Sequence, residues 1–124
     1  MPKETKAQQK RQARLNDPPL LILTSLASGA KHGYALVQDI EAFTGVQLGP
    51  GTLYGAISRL EERGLIEAAA PVGRTRPYRL STAGRETLEA ALADLRTIVD
   101  EGTARLHRSP LPIEDRPVTA GGLA

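Results

Sequence analysis

Glycine and proline partition this chain before any other feature does. Asp17-Pro18-Pro19, Gly29, Gly45, Gly49-Pro50-Gly51 and Gly64 cut residues 17–64 into three segments, each long enough for only a few helical turns. Asp17 reads as an N-cap with proline in the first turn, where a missing amide donor costs nothing. Leu20, Leu21, Ile22, Leu23 and Leu26 follow, and Gly29 closes this first helix, which is apolar on most sides and so belongs inside the domain. A second helix is expected from about Gly33 to Phe43. Tyr34, Val37, Ile40 and Glu41 fall at helical spacing, with Leu36 and Phe43 widening the buried stripe. Thr44-Gly45 ends it, and Val46-Gln47-Leu48 is a short extended link. Gly49 caps the third helix and Pro50 takes its first position. Leu53, Ile57 and Leu60 give it a narrow core stripe, and Gly64 stops it after Arg63.

Beyond Gly64 the pattern changes period. Leu65–Ala69 and Tyr78–Ser81 read as short strands, joined by the turn-rich connector Pro71-Val72-Gly73-Arg74-Thr75-Arg76-Pro77. Ser81 or Thr82 then caps a long helix to about His107. Its Leu88, Leu92, Leu95, Val99 and Leu106 follow steps of four and three, with Gly102 in the missing heptad slot. The fold class is therefore mainly α with a two-stranded β-wing: a winged helix-turn-helix followed by a long C-terminal helix. Four regions result: a basic arm over 1–17, the winged domain over 18–81, the long helix over 82–108, and a Pro- and Gly-rich tail over 109–124 expected to be disordered.

Composition removes most chemistry. There is no Cys, and the two histidines, His32 and His107, lie far apart. Thiolate nucleophiles, disulfide scaffolds and Cys-ligated metal sites are thereby excluded, and a His-rich metal site within one chain is not expected. Asp39, Glu41, Glu61, Glu62 and Glu67 fall on faces expected to be exposed, so no acid–base pair is set in a pocket. The chain is not expected to be an enzyme or to use a cofactor. No apolar run approaches the roughly 20 residues of a membrane span, and the polar N-terminus is no secretory signal. A cytoplasmic protein without a membrane partner is the default. Aromatic residues make up only 3% of the chain, so Leu, Ile, Val and Ala must fill the core.

The net charge of +2 is unevenly spread. Lys3, Lys6, Lys10, Arg11 and Arg14 load the first segment, which is either a solvated tail or an arm adding phosphate contacts. Arg74, Arg76 and Arg79 sit on the wing, with no acidic residue between Ala68 and Arg85. Opposite the core stripe of the third helix lie Gly51, Gly55 and Ser58, flanked by Thr52, Tyr54 and Arg59. A B-DNA major groove, about 12 Å wide, admits one helix. Small residues let that helix approach the base edges, Tyr54 and Arg59 can reach them, and the helix N-terminus favours a phosphate. A cationic hairpin beside it suits the duplex backbone or a narrow minor groove. Taken singly each feature has an ordinary explanation; it is their joint arrangement that points to double-stranded DNA. A winged helix used only as a protein-interaction module is the alternative, and it would leave the basic wing without a task.

The residues also carry a family resemblance. His32-Gly33-Tyr34, Leu48-Gly49-Pro50-Gly51-Thr52-Leu53-Tyr54, Leu60-Glu61-Glu62-Arg63-Gly64-Leu65-Ile66 and Arg76-Pro77-Tyr78-Arg79-Leu80-Ser81-Thr82-Ala83-Gly84, in that order, resemble the PadR family of bacterial transcriptional regulators. The resemblance spans roughly Pro18 to Arg105 and corresponds to the small subgroup with one helix after the wing. It implies a winged helix that binds operator DNA, usually as a repressor, and a C-terminal part that dimerises. It places Tyr34 at the start of the second helix against the DNA backbone, with Thr52 and Tyr54 at the front of the recognition helix; Pro50, which opens that helix, is a further candidate DNA contact. The position before Pro50, often polar in the family, is Gly49 here and offers no side-chain contact. Some members bind aromatic small-molecule effectors at the dimer interface, but this chain has no Trp and its last helix no aromatic residue to stack on one.

The stripe Leu88, Leu92, Leu95, Val99 and Leu106 cannot be buried by a lone helix. It either folds back on Leu20–Leu26 or pairs with a second copy. A homodimer is expected, because the winged domain has apolar residues enough to close itself. Two symmetric recognition helices would then read a pseudo-palindrome.

Overall fold

The computed structural model describes residues 17–108, so the arm and the tail, Asp17 apart, lie outside the described residues. Four helices and two strands follow in order: α1 (Pro18–Leu26), α2 (Gly33–Thr44), α3 (Pro50–Glu62), β1 (Ile66–Ala68), β2 (Tyr78–Leu80) and α4 (Thr82–Arg108). The chain divides into two units, one ending at Ala90 and one beginning at Ala91. Among the described residues, no helix is long and apolar enough to cross a membrane, and no three His, Asp or Glu side chains are grouped to hold a metal ion.

Each helix start has a local cause. The Asp17 carboxylate accepts from the Leu20 amide at 3.2 Å, and Pro18 needs no partner. His32 caps α2, its Nδ1 accepting from the Ala35 amide at 3.4 Å. At the other end of α2, Gly45 adopts a φ of 79°, a left-handed C-cap that suits glycine. The Thr44 hydroxyl donates to the Ile40 carbonyl at 2.7 Å and accepts from the Val46 amide at 2.9 Å. Thr44 thereby takes the inward position in the last turn, and Phe43, expected inside, is 46% exposed.

The core joins α1, α2 and α3 to β1. Ile22, Leu36, Ile40, Leu53, Ile57, Leu60 and Ile66 are its fully buried large residues. Ser25, also buried, donates to Asp39 at 2.6 Å and ties α1 to α2. Lys31 holds the C-terminal end of α1 by donating from Nζ to the Ser25 carbonyl and, at 2.7 Å, to the Ser28 hydroxyl.

The wing is antiparallel, with Ile66 opposite Leu80, Glu67 opposite Arg79 and Ala68 opposite Tyr78. Lys31 adds a further rung, since its backbone exchanges two hydrogen bonds with Tyr78 at 3.0 and 2.9 Å. The tip closes on itself. Val72 and Thr75 exchange two backbone bonds at 3.1 and 3.0 Å, and Gly73 turns the corner at a φ of 60°.

The helix after the wing begins inside the first unit rather than outside it. Ser81 donates from its hydroxyl to the Gly64 carbonyl at 2.6 Å and from its amide to the Leu65 carbonyl at 3.1 Å, while its hydroxyl accepts from the Gly84 amide at 3.0 Å. Gly84 lies so close to Leu65 that a Cβ there would run into the Leu65 carbonyl. One helical turn further on, Leu88 is 4% exposed and part of the core. Its inclusion in the outward stripe is therefore corrected: the close approach at Gly84 turns Leu88 inward.

Two glycines of α4 should respond oppositely to alanine. Gly84→Ala meets backbone that cannot move aside and should cost about 1–3 kcal/mol. Gly102→Ala meets nothing within 4 Å and should gain about 0.5–1 kcal/mol from helix propensity. Urea denaturation followed by circular dichroism at one protein concentration reads both, and equal effects would refute the packing at Gly84.

Candidate nucleic-acid interface

The buried side of α3 fixes what its other side presents. Leu53, Ala56, Ile57 and Leu60 face the core, so the helical period turns Pro50, Gly51, Thr52, Tyr54, Ser58 and Arg59 outward, where all are exposed. A Cβ on Gly51 would meet nothing within 4 Å, so that glycine serves no internal packing. Gly55 is partly covered, its nearest neighbour being the Arg59 guanidinium, which folds back along the helix. Gly49 supplies no side-chain cap, leaving first-turn amides of α3 with donors to offer.

The start of α2 lies alongside. Tyr34 is 67% exposed, and its hydroxyl accepts from Gln38 at 3.0 Å. Tyr54 lies across Gly33, its hydroxyl reaching the place a Cβ would occupy. This explains the glycine between His32 and Tyr34, a role not visible from the sequence.

The wing approaches the same place. His32, Tyr34, Tyr54, Arg74, Arg76 and Tyr78 line a cleft of about 260 Å³. Burial pushes the Tyr78 hydroxyl above its ordinary pKa, the Glu61 carboxylate pushes it the same way, and Arg76 opposes them. Among the described residues, Arg74 and Arg76 form no ion pair. Arg79 does: its Nε donates to Glu67 at 2.9 Å across the hairpin. The expectation of three wing cations without a counter-charge is corrected to two, because antiparallel register sets Glu67 directly opposite Arg79. Ser58 and Arg59 lie further along α3 and do not line the cleft.

A second cavity, of about 280 Å³, opens between the starts of α2 and α3, with Tyr34, Val37, Leu48, Pro50 and Tyr54 on its walls. Sequence reasoning placed Val37 only on a helical stripe and Leu48 only in a link, so this feature was missed. The alternation of buried Val46, exposed Gln47 and buried Leu48 was the available signal.

On the exposed part of α4, Leu92 and Leu95 are 44% and 42% exposed, and Ile98, Val99 and Leu106 more so.

Comparison with known proteins gives a consistent family. The profile of the "Transcriptional regulator PadR-like family" matches residues 22–90. An uncharacterized 37.1 kDa protein in transposon TN4556 of Streptomyces fradiae is 42% identical over 101 residues, which are 82% of this chain and 28% of that protein. The chain thus spans little more than a quarter of that relative. A PadR family transcriptional regulator from Eggerthella lenta DSM 2243 superposes with a TM-score of 0.62 at 27% identity, covering 83% of this chain and 89% of that one. A PadR family transcription regulator from hypervirulent Clostridium difficile R20291 shares the fold at a TM-score of 0.64 and 24% identity, covering 71% and 96%.

Gly33→Ala should displace the Tyr54 ring. The obstructing atom is the end of a flexible side chain, so stability should fall by less than for Gly84→Ala. With three tyrosines in the chain, their ring proton resonances are assignable. Those of Tyr54 should shift more than those of Tyr34, and unmoved Tyr54 signals would refute the packing.

Proposed function

This chain belongs to the PadR-like family of transcriptional regulators, which are not enzymes, and from that premise we propose that it acts in the cytoplasm as a homodimeric repressor on a pseudo-palindromic operator. The observation that carries the reading is the meeting, around one cleft, of Tyr54 from the outward face of α3, Tyr34 from the start of α2, and the wing residues Arg74 and Arg76, which form no ion pair among the described residues. In this reading α3 enters the major groove with Pro50, Gly51 and Thr52 leading, and Ser58 and Arg59 meet base edges further along. Tyr34 and Tyr54 flank the entry, with the Tyr34 hydroxyl toward the backbone. Arg74 and Arg76 neutralise phosphates of the neighbouring turn or enter its minor groove. Arg79 contributes less, because Glu67 already holds it.

Dimerisation is assigned to the apolar residues of the last helix beyond the first unit: Leu92, Leu95, Val99 and Leu106 of the expected stripe, joined by Ile98. The part of these side chains left in water forgoes about 25 cal/mol for each Å² of apolar surface, and a second copy of the same helix offers a matching surface. A two-fold dimer would set the recognition helices about 34–36 Å apart, or a multiple of that, and so fix the half-site spacing. Repression then needs only occupancy of a promoter by the bound dimer.

Selection of duplexes from a random pool tests binding, symmetry and spacing together. Arg76→Ala should weaken binding to all duplexes alike and reduce the salt slope by about one unit, with a smaller effect for Arg79→Ala. Ser58→Ala or Arg59→Ala should cost about 1–3 kcal/mol at one base position if a base edge is read there; equal loss on every sequence would assign those residues to the backbone instead. Leu92→Glu with Leu95→Glu should give monomers by sedimentation and weak operator binding, and an unchanged dimer would refute the interface.

A further inference from the structure

The apolar cavity between the starts of α2 and α3 has no task in a purely electrostatic contact. Its walls are Tyr34, Val37, Leu48, Pro50 and Tyr54, none of them charged, and it opens to solvent. Tyr34 and Tyr54 also line the arginine cleft, so the two recesses are neighbours that share these rings. The position is that of the leading turn of α3. That turn, Pro50-Gly51-Thr52, carries no guanidinium, ammonium, carboxamide or carboxylate. It therefore lacks the groups that pair bidentately with guanine or adenine or that accept from cytosine as a carboxylate, and the Thr52 hydroxyl, which can bond to any base edge, does not single one out. What an apolar wall can distinguish there is the C5-methyl group of thymine, the one methyl that unmodified base pairs present in the major groove.

The geometry points to this cavity as a thymine reader: in each half-site one thymine methyl seats against Val37, Pro50 and the Tyr34 and Tyr54 rings. Arg74 and Arg76 supply the matching charge for phosphates beside it. The assignment rests on the DNA-binding reading above and adds a base identity to it. Specificity at the front of α3 is then carried by burial of a methyl group rather than by hydrogen bonding.

The test uses the full chain and the tightest duplex selected from a random pool. Each thymine is replaced in turn by deoxyuridine, which removes the methyl and leaves base pairing and charge unchanged. At one thymine per half-site, binding should weaken about fourfold, the equivalent of burying one methylene. The salt slope should not change, because no phosphate contact is altered. Val37→Asn replaces the methyls of that wall with a carboxamide, so it should bring the thymine-to-uracil ratio toward one. Equal binding of thymine and uracil at every position would overturn the proposal and leave the cavity to an occupant other than DNA. A fourfold effect that persists in Val37→Asn would also overturn it, since the methyl would then act through duplex shape. Failure to select any duplex would instead defeat the DNA-binding reading itself, a distinguishable result.

Discussion

The burial of one stripe of α3 governs the rest of the molecule. Leu53, Ala56, Ile57 and Leu60 are withdrawn almost completely from water into the core formed by Ile22, Leu36, Ile40 and Ile66. Successive residues of a helix are separated by about 100° around its axis. Rotating α3 by one residue would exchange Ile57 for Ser58 in the interior, losing an apolar contact and burying a hydroxyl without a partner. The orientation of α3 is thus fixed by packing, and the outward face is its necessary complement. On that face only Tyr54, which lies across Gly33, packs against another element, which leaves Thr52, Ser58 and Arg59 available for recognition.

Two short segments transmit this orientation to the wing. In the first, Lys31 bridges to Tyr78, His32 caps α2 and Gly33 accepts the Tyr54 ring. In the second, Ser81 binds Gly64 and Leu65 while Gly84 makes room for the Leu65 carbonyl. The wing is therefore held by backbone bonds at its base and beside α2, and its arginines occupy a defined place relative to the helix starts.

Much of this was legible in the sequence. The caps, the α3 stripe and the order of elements are local matters, decided by Asp17, Pro50, Gly45 and the spacing of Leu53, Ile57 and Leu60. What escaped was set by pairing between segments. Glu67 and Arg79 are twelve residues apart, and only the hairpin register brings them together. Leu88 obeys the heptad spacing of an interface residue, yet the approach at Gly84 commits it to the core. Lys31 lies in a loop pattern and still forms a sheet rung, because its partner Tyr78 lies far along the chain. Gly33 reads as a helix start, and its packing against Tyr54 depends on the angle between two helices that no local pattern encodes. The family motifs brought these positions together without giving their physical reasons.

The closed tip of the wing has a thermodynamic consequence. Val72 and Thr75 are joined by two backbone bonds, and Gly73 completes the corner without strain. A loop tied in this way has already surrendered its main-chain freedom during folding. An anionic partner that meets Arg74 and Arg76 need immobilise only their side chains, at about 0.5–1.5 kcal/mol apiece, and not the segment that carries them. The entropic penalty of engagement is thereby confined to two guanidinium stems.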